Sequence, residues 1–193
     1  MSALAAPLLF GCSQSTMTNP ARAVSEQLVL STATDRAIAT TSFSLFDKKK
    51  VFLDATYFDS YDSKYVVGAI RDALSQAGAV LLPTAATNCD IIIEARSGGL
   101  STDPGDTLLG LANTGIPIPL VGAVPIPEIA IYKASWQFAT AKFALLAYDA
   151  RSREHYFSSG PMVGKSYNEN YKLLGIIQWT RSDIPEKKRK HKQ

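Results

Sequence analysis

Residues 62–83 read DSKYVVGAIRDALSQAGAVLLP, and this stretch decides the fold class. Tyr65, Val66, Ala69, Ile70, Ala73, Leu74 and Ala77 recur at the spacing of one apolar stripe on a helix. The pattern predicts a helix over 62–77, capped by Asp62 or Ser60 and ended by Gly78 in the left-handed conformation. Residues 79–83 read as a strand directly after it. Before the helix, Val51, Leu53, Ala55 and Tyr57 alternate, which suits a strand over 51–58 near the middle of a sheet. A further strand is expected over 90–96. Strand, helix, strand, strand implies a sheet whose apolar face buries the helix stripe.

Outward from this unit the elements are mixed. Residues 27–30 suit a short strand or the start of a helix, and Thr32 with Asp35 fits a capping box, which places a helix at 33–41. Residues 128–149 are rich in Ile, Tyr, Trp and Phe and read as two strands or one long bent one. A turn over 149–153 then returns the chain as a hairpin partner at 155–158. Residues 168–177 are expected as a last helix with Tyr171, Leu174 and Ile177 inward. The expected class is α+β: a mixed β-sheet with two to three helices packed on it, in one domain. A chain of 193 residues suits one domain with a sizeable core, and 46% hydrophobic against 19% charged residues argues against disorder.

Residues 107–127 carry no charge and are long enough to span a bilayer. Pro117, Pro119, Pro125 and Pro127, with Gly110, Gly115 and Gly122, exclude a membrane helix, because they would leave backbone groups unsatisfied in lipid. Three readings remain: a loop folded over the body, a subunit interface, or a tip that dips into the lipid interface. Leu108, Leu109, Leu111, Ile116, Ile118, Leu120 and Ile126 would form that contact surface.

At the N-terminus, Leu9-Phe10-Gly11-Cys12 resembles a bacterial lipobox, which implies a diacylglycerol on Cys12. Residues 1–11 would then be a processing signal and 12–23 a leash. The domain is expected over 24–180, facing the periplasm, with the outer membrane favoured over the inner. Met1-Ser2-Ala3 carries no Lys or Arg, so the cationic start of such a leader is expected upstream. The alternatives are an incidental cysteine, or a bridge from Cys12 to Cys89 in a secreted form. Cys89 otherwise reads as a small buried hydrophobe.

The formal net charge is +3, of which Lys187, Lys188, Arg189, Lys190 and Lys192 contribute +5, so the rest carries −2. Residues 181–193 read as a basic disordered tail, either solubilising or drawn to anionic lipid or wall polymer. An exported lipoprotein rarely meets nucleic acid, so lipid or wall polymer ranks higher and no nucleic acid is expected as a partner.

Catalytic signals are weak. Residues 160–166 approach a phosphate-binding loop, but Ser159 stands where its first glycine belongs and Pro161 lacks an amide donor. Asp59 and Asp62 suit helix capping, while Asp54 stands alone on a strand. His155 with Cys89 cannot supply four zinc ligands, and a Cys89, His155 and Asp90 triad has no more support than many other placements. No catalytic residue, metal or cofactor is assigned.

The order of leader, Cys12, strand 51–58, helix 62–77, strands 79–83 and 90–96 and the hairpin around 149 is similar to small envelope lipoproteins of the LpoB, curli-pore-subunit and TolB N-terminal-domain type. Residues 25–37, SEQLVLSTATDRA, resemble an uncharacterised bacterial lipoprotein family, and that likeness covers most of the chain after Cys12. The architectural likeness fixes no function, and no channel-forming hairpins are evident in the sequence. The lipobox, with no catalytic constellation beside it, leads to the expectation of a lipid-anchored envelope protein that binds or scaffolds another envelope component or itself. The alternative is an extracytoplasmic hydrolase or transferase using Asp54 or His155.

Overall fold

The structure is a computed structural model that describes residues 23–60, 62–85, 88–111, 114–118, 122–126 and 129–185. Helix α1 (Val24–Ala39) is followed by a 3-10 turn (Ser44–Phe46), strand β1 (Lys50–Asp54), helix α2 (Ser63–Gln76) and strand β2 (Val80–Leu82). Then come β3 (Ile91–Leu111), β4 (Thr114–Ile118), β5 (Gly122–Ile126), β6 (Ile129–Asp149), β7 (His155–Leu173) and β8 (Ile177–Ser182). Six strands form one sheet in the order β2-β1-β3-β6-β7-β8, while β4 and β5 pair separately. The class is α+β, with two α-helices among the described residues.

Helix α2 forms where its stripe predicts, burying Val66, Ile70 and Leu74. It supplies the crossover that parallel pairing of β1 with β2 requires. Gly78 ends it at φ +91°, and the Ala79 N–H closes back on the Leu74 carbonyl (3.1 Å). The cap differs from expectation: Asp62 stands at the N-cap without a side-chain capping bond. Strand β1 pairs with β2 and β3, one strand in from the edge rather than at mid-sheet.

The helix expected at 33–41 instead runs from Val24 to Ala39. Val29, Leu30, Ala33, Ala37 and Ile38 are buried against the sheet, and that burial overrides the local capping signal. Thr32 and Thr34 lie buried inside the helix, and the Thr34 hydroxyl donates to the Leu30 carbonyl (3.0 Å). Small residues let the layers close. A Cβ on Gly164 of β7 would lie 1.9 Å from the Ala33 carbonyl oxygen and 2.6 Å from the Ala37 nitrogen. The glycine of the near phosphate-loop motif is therefore the seat of α1, in the middle of a strand. Beside it the core is filled by Leu30, Ile70, Ile93, Phe143, Leu145 and Met162, with Phe58 edge-on to Phe143 at 6.0 Å.

Of the two readings of 128–149 the single long strand is the one that forms, while a hairpin replaces the last expected helix. Residues 129–149 form one continuous strand, antiparallel to β3 along 91–111 and to β7. The helix expected over 168–177 is the end of β7, a tight turn and the start of β8. Tyr171, Leu174 and Ile177 match a helical spacing, but the period-two pairing of long strands prevails. The hairpin return expected at 155–158 is the first part of β7, which continues to Leu173.

After β8 the chain is tied back to the body. The Ser166 hydroxyl (2.6 Å) and Tyr167 N–H (2.8 Å) donate to the Asp183 carboxylate, which also pairs with Arg36 of α1. Arg36 further donates to the Lys165 carbonyl (2.7 Å), and Ile184 packs on the core. Partial burial pushes the Asp183 carboxyl up, but the bonds from Ser166, Arg36 and Tyr167 outweigh it and hold it below the usual value.

Two outcomes are expected in urea unfolding. Gly164→Ala should cost about 1–3 kcal/mol by overpacking α1 on β7. Gly68→Ala, in the exposed interior of α2 where an added Cβ meets nothing within 4 Å, should instead stabilise by up to about 1 kcal/mol. The carboxyl of Asp183 is depressed in the fold, so its contribution is present above the unfolded value of about 3.9 and lost as pH falls through the lower folded value. Asp183→Asn should be less stable than wild type at neutral pH and flatten the fall in urea midpoint across that acid window.

Candidate interaction surface

The polar residues singled out in the sequence do not converge. Asp54 ends β1, where its carboxylate accepts from the Thr56 N–H (2.9 Å) and hydroxyl; those bonds lower its pKa. His155 is exposed at the start of β7 and pairs in register with Tyr148. Asp54 and His155 are three strands apart, about 14 Å at ordinary strand spacing. Cys89 is buried, with its thiol directed at the Ile91 carbonyl (3.2 Å), so it does not face His155. Asp90 accepts from the Lys50 N–H (2.9 Å) and serves the sheet. Among the described residues no three His, Cys, Asp or Glu side chains gather.

An open groove of about 830 Å³ lies between the helices, lined by Asp35, Lys64, Tyr65, Gly68, Asp72 and Gln76 among others. Four of its polar groups are engaged with each other. Tyr65 donates to Asp35 (2.9 Å) and Gln76 donates to Asp72 (2.7 Å). Burial first, then the Asp35 carboxylate, pushes the Tyr65 hydroxyl up to about 12, which keeps it protonated and unfit as a base.

The larger feature is an arm. Helix cover reaches the row Thr102, Ala139 and Ser166, where the Thr102 hydroxyl donates to Glu26 of α1. Beyond it, 104–109, 132–137, 168–173 and 177–182 continue as four aligned antiparallel strands. Among the described residues past that row only Ala134 is buried. From Asp103 to Leu111 the arm is nine residues of β3, roughly 30 Å long.

Its two faces differ in kind. On the side that carries the helices nearer the body, β6 presents Lys133, Ser135 and Gln137, beside Asn168 and Asn170 of β7 and Thr180 of β8. The opposite side carries Tyr132, Trp136 and Phe138, beside Tyr167 and Tyr171 of β7 and Trp179 of β8. Trp136 covers Gly105, whose added Cβ would lie 2.5 Å from the indole. Tyr171 and Trp179 stack at 5.2 Å with an interplanar angle of 11°, and Arg181 sits 5.9 Å from the Tyr167 ring centroid. Sequence reading missed this face. Its signal was the alternation of aromatic with polar residues over 132–138 and 167–171, which a period of two detects.

The uncharged stretch 107–127 is divided. Leu108 is half-buried, while Leu109 and Leu111 at the end of β3 are 61% and 46% exposed, so the latter two are not packed on the body. Ile116, Ile118 and Ile126 lie on the separate β4–β5 pair and are placed by backbone alone. Leu120, Cys12 and the basic residues Lys187, Lys188, Arg189, Lys190 and Lys192 lie outside the described residues.

Both edges of the arm are open among the described residues. Among the described residues, β1 pairs β3 only over 91–94, so no strand lies on that side of 97–111, and none lies beyond β8. Because each neighbour in β3-β6-β7-β8 is antiparallel, the two outer strands run in opposite directions. Such edges are templates for a further strand.

A search among curated proteins finds no match. A family model described as "Family of unknown function (DUF6655)" matches residues 6–186, and the chain belongs to that family.

Proposed function

We propose that this chain is a lipid-anchored envelope protein that acts as a self-assembling scaffold, its copies adding edge to edge through the arm. The observation that carries the reading is the pair of open, oppositely directed edges, β3 on one side and β8 on the other. When β8 of one copy meets β3 of the next, the pairing is antiparallel and the alternation continues unbroken. The contact is heterologous, so it propagates to a ring or a filament rather than stopping at a two-fold dimer. Pro104 lacks an N–H, as is tolerated on an edge strand, so the edge offered by β3 runs from Gly105 to Leu111. The lipobox-like Cys12 supports the anchor. The eleven leash residues 13–23 would hold the body within roughly 40 Å of the bilayer, which concentrates copies on one surface.

Cysteine cross-linking tests the geometry in the full chain carrying Cys12→Ser. Asp106 and Thr180 are exposed and share one row, but two strands, β6 and β7, lie between them within a copy. Asp106→Cys combined with Thr180→Cys should give a ladder of dimers, trimers and higher species with a short bis-maleimide. Each single variant should give none. Dimers from Thr180→Cys alone would mean symmetric β8 pairing, and a monomer under every condition would remove self-assembly altogether.

A further inference from the structure

The open face of the arm is graded along its length, and the grading matches the layers of a membrane. Nearest the body, Arg96, Lys142 and Lys165 stand on the side away from the helices; all three are exposed. Next come the rings of Phe138, Tyr167, Trp136, Tyr171 and Trp179. At the far end of this face stands Leu109, 61% exposed, with the exposed pair Leu111 and Ile129 just past a register shift in the ladder. Cations, then aromatic rings, then aliphatic groups is the order in which side chains meet headgroups, interface and hydrocarbon. Three charges interrupt the aromatic zone: Asp103, Arg181 beside the Tyr167 ring, and Glu169, which accepts from the Tyr171 hydroxyl (3.0 Å).

The β7–β8 turn points the same way. Leu174-Gly175-Ile176 stands level with that aliphatic end, the Leu174 N–H donating to the Ile131 carbonyl (2.7 Å). Leu174 adopts φ +51°, a conformation that costs a leucine more than the Asn, Asp or Gly a water-facing turn would use. It is 61% exposed and Ile176 is 84% exposed. In water these two side chains gain nothing from their position. In lipid they become the leading contacts.

We infer that the arm lies obliquely on a bilayer with its open face and tip down, Arg96, Lys142 and Lys165 at anionic headgroups and Leu174 and Ile176 at the acyl boundary, while its polar face and strand edges stay in water. This surface is distinct from the strand edges and needs neither the assembly nor the acyl anchor. It also differs from an attraction through the basic tail, which would leave the arm in water.

The chain's own fluorescence separates these cases, because its only two tryptophans, Trp136 and Trp179, both sit on this face. Full-length protein carrying Cys12→Ser is mixed with vesicles of phosphatidylcholine, with or without phosphatidylglycerol. The expected result is flotation with the phosphatidylglycerol vesicles, emission moving to shorter wavelength, and quenching by brominated acyl chains. Lys142→Gln with Lys165→Gln should lower partitioning about 30-fold, as expected when two cations leave an anionic surface. Leu174→Asp with Ile176→Asp should abolish the quenching while the far-ultraviolet circular dichroism is retained. Flotation with unchanged emission would assign binding to the tail and overturn the inference, as would the absence of flotation. The cross-linking ladder is read without vesicles, so either proposal can fail while the other stands.

Discussion

The close approach of α1 to β7 at Gly164 governs the rest of the molecule. No other residue type fits there, since any Cβ would sit inside the helix backbone at Ala33. Ala33 and Ala37 on the helix and Ala139 and Ala141 on the sheet extend the same narrow seam, all of them buried. A helix held this close covers the sheet fully where it lies and not at all past its end. The seam therefore fixes both the core and the point at which the strands run on uncovered. Arg36, placed by that helix, reaches Lys165 and Asp183, so the exit of β8 is set by the same contact.

Past the helix no second layer covers the sheet among the described residues, and cross-strand pairs hold it there. Trp136 fills the space over Gly105, Tyr171 stacks on Trp179, and Arg181 lies near the Tyr167 ring, all on one face. Pairs of this sort contribute a few tenths to about 1 kcal/mol each. The opposite face is polar, with Thr180 donating to Asn170 (2.8 Å). A sheet with one ring-rich face and one amide-rich face has chosen two different surroundings. The edges make a third demand, for backbone partners, independent of either face.

The parts of this fold that were legible in the sequence are the parts that local physics determines. Helix α2 has a full apolar stripe and a glycine at its end, and both are satisfied within the segment. Helix α1 was placed too late because its buried face is built from Ala and Thr as much as from Val and Leu, a weak signal that only the sheet's glycine explains. The near phosphate loop at 160–166 failed for the complementary reason: its glycine answers to a helix more than a hundred residues away. Tyr171, Leu174 and Ile177 satisfy a three-residue spacing and, equally, flank a hairpin turn. Only pairing of β7 with β6 over their whole length decides between them. Asp54, Asp90 and His155 were visible as residue types, but their distance from one another was not.

What remained hidden longest was a surface rather than a site. Each strand of the arm taken alone is an ordinary amphipathic segment, with too few apolar residues to mark it as special. Four such segments in register place six aromatic rings on one face. Register is a property of the whole sheet, since a slip by one residue would send every ring to the polar side. That register is held at the body end by the core and at the far end by the turn in which Leu174 is forced to φ +51°. A turn built from Asn and Gly would hold it at less cost in water. The leucine and isoleucine kept there in its place are the feature that folding alone does not require, and it is the reason the arm's face and tip are read as made for contact.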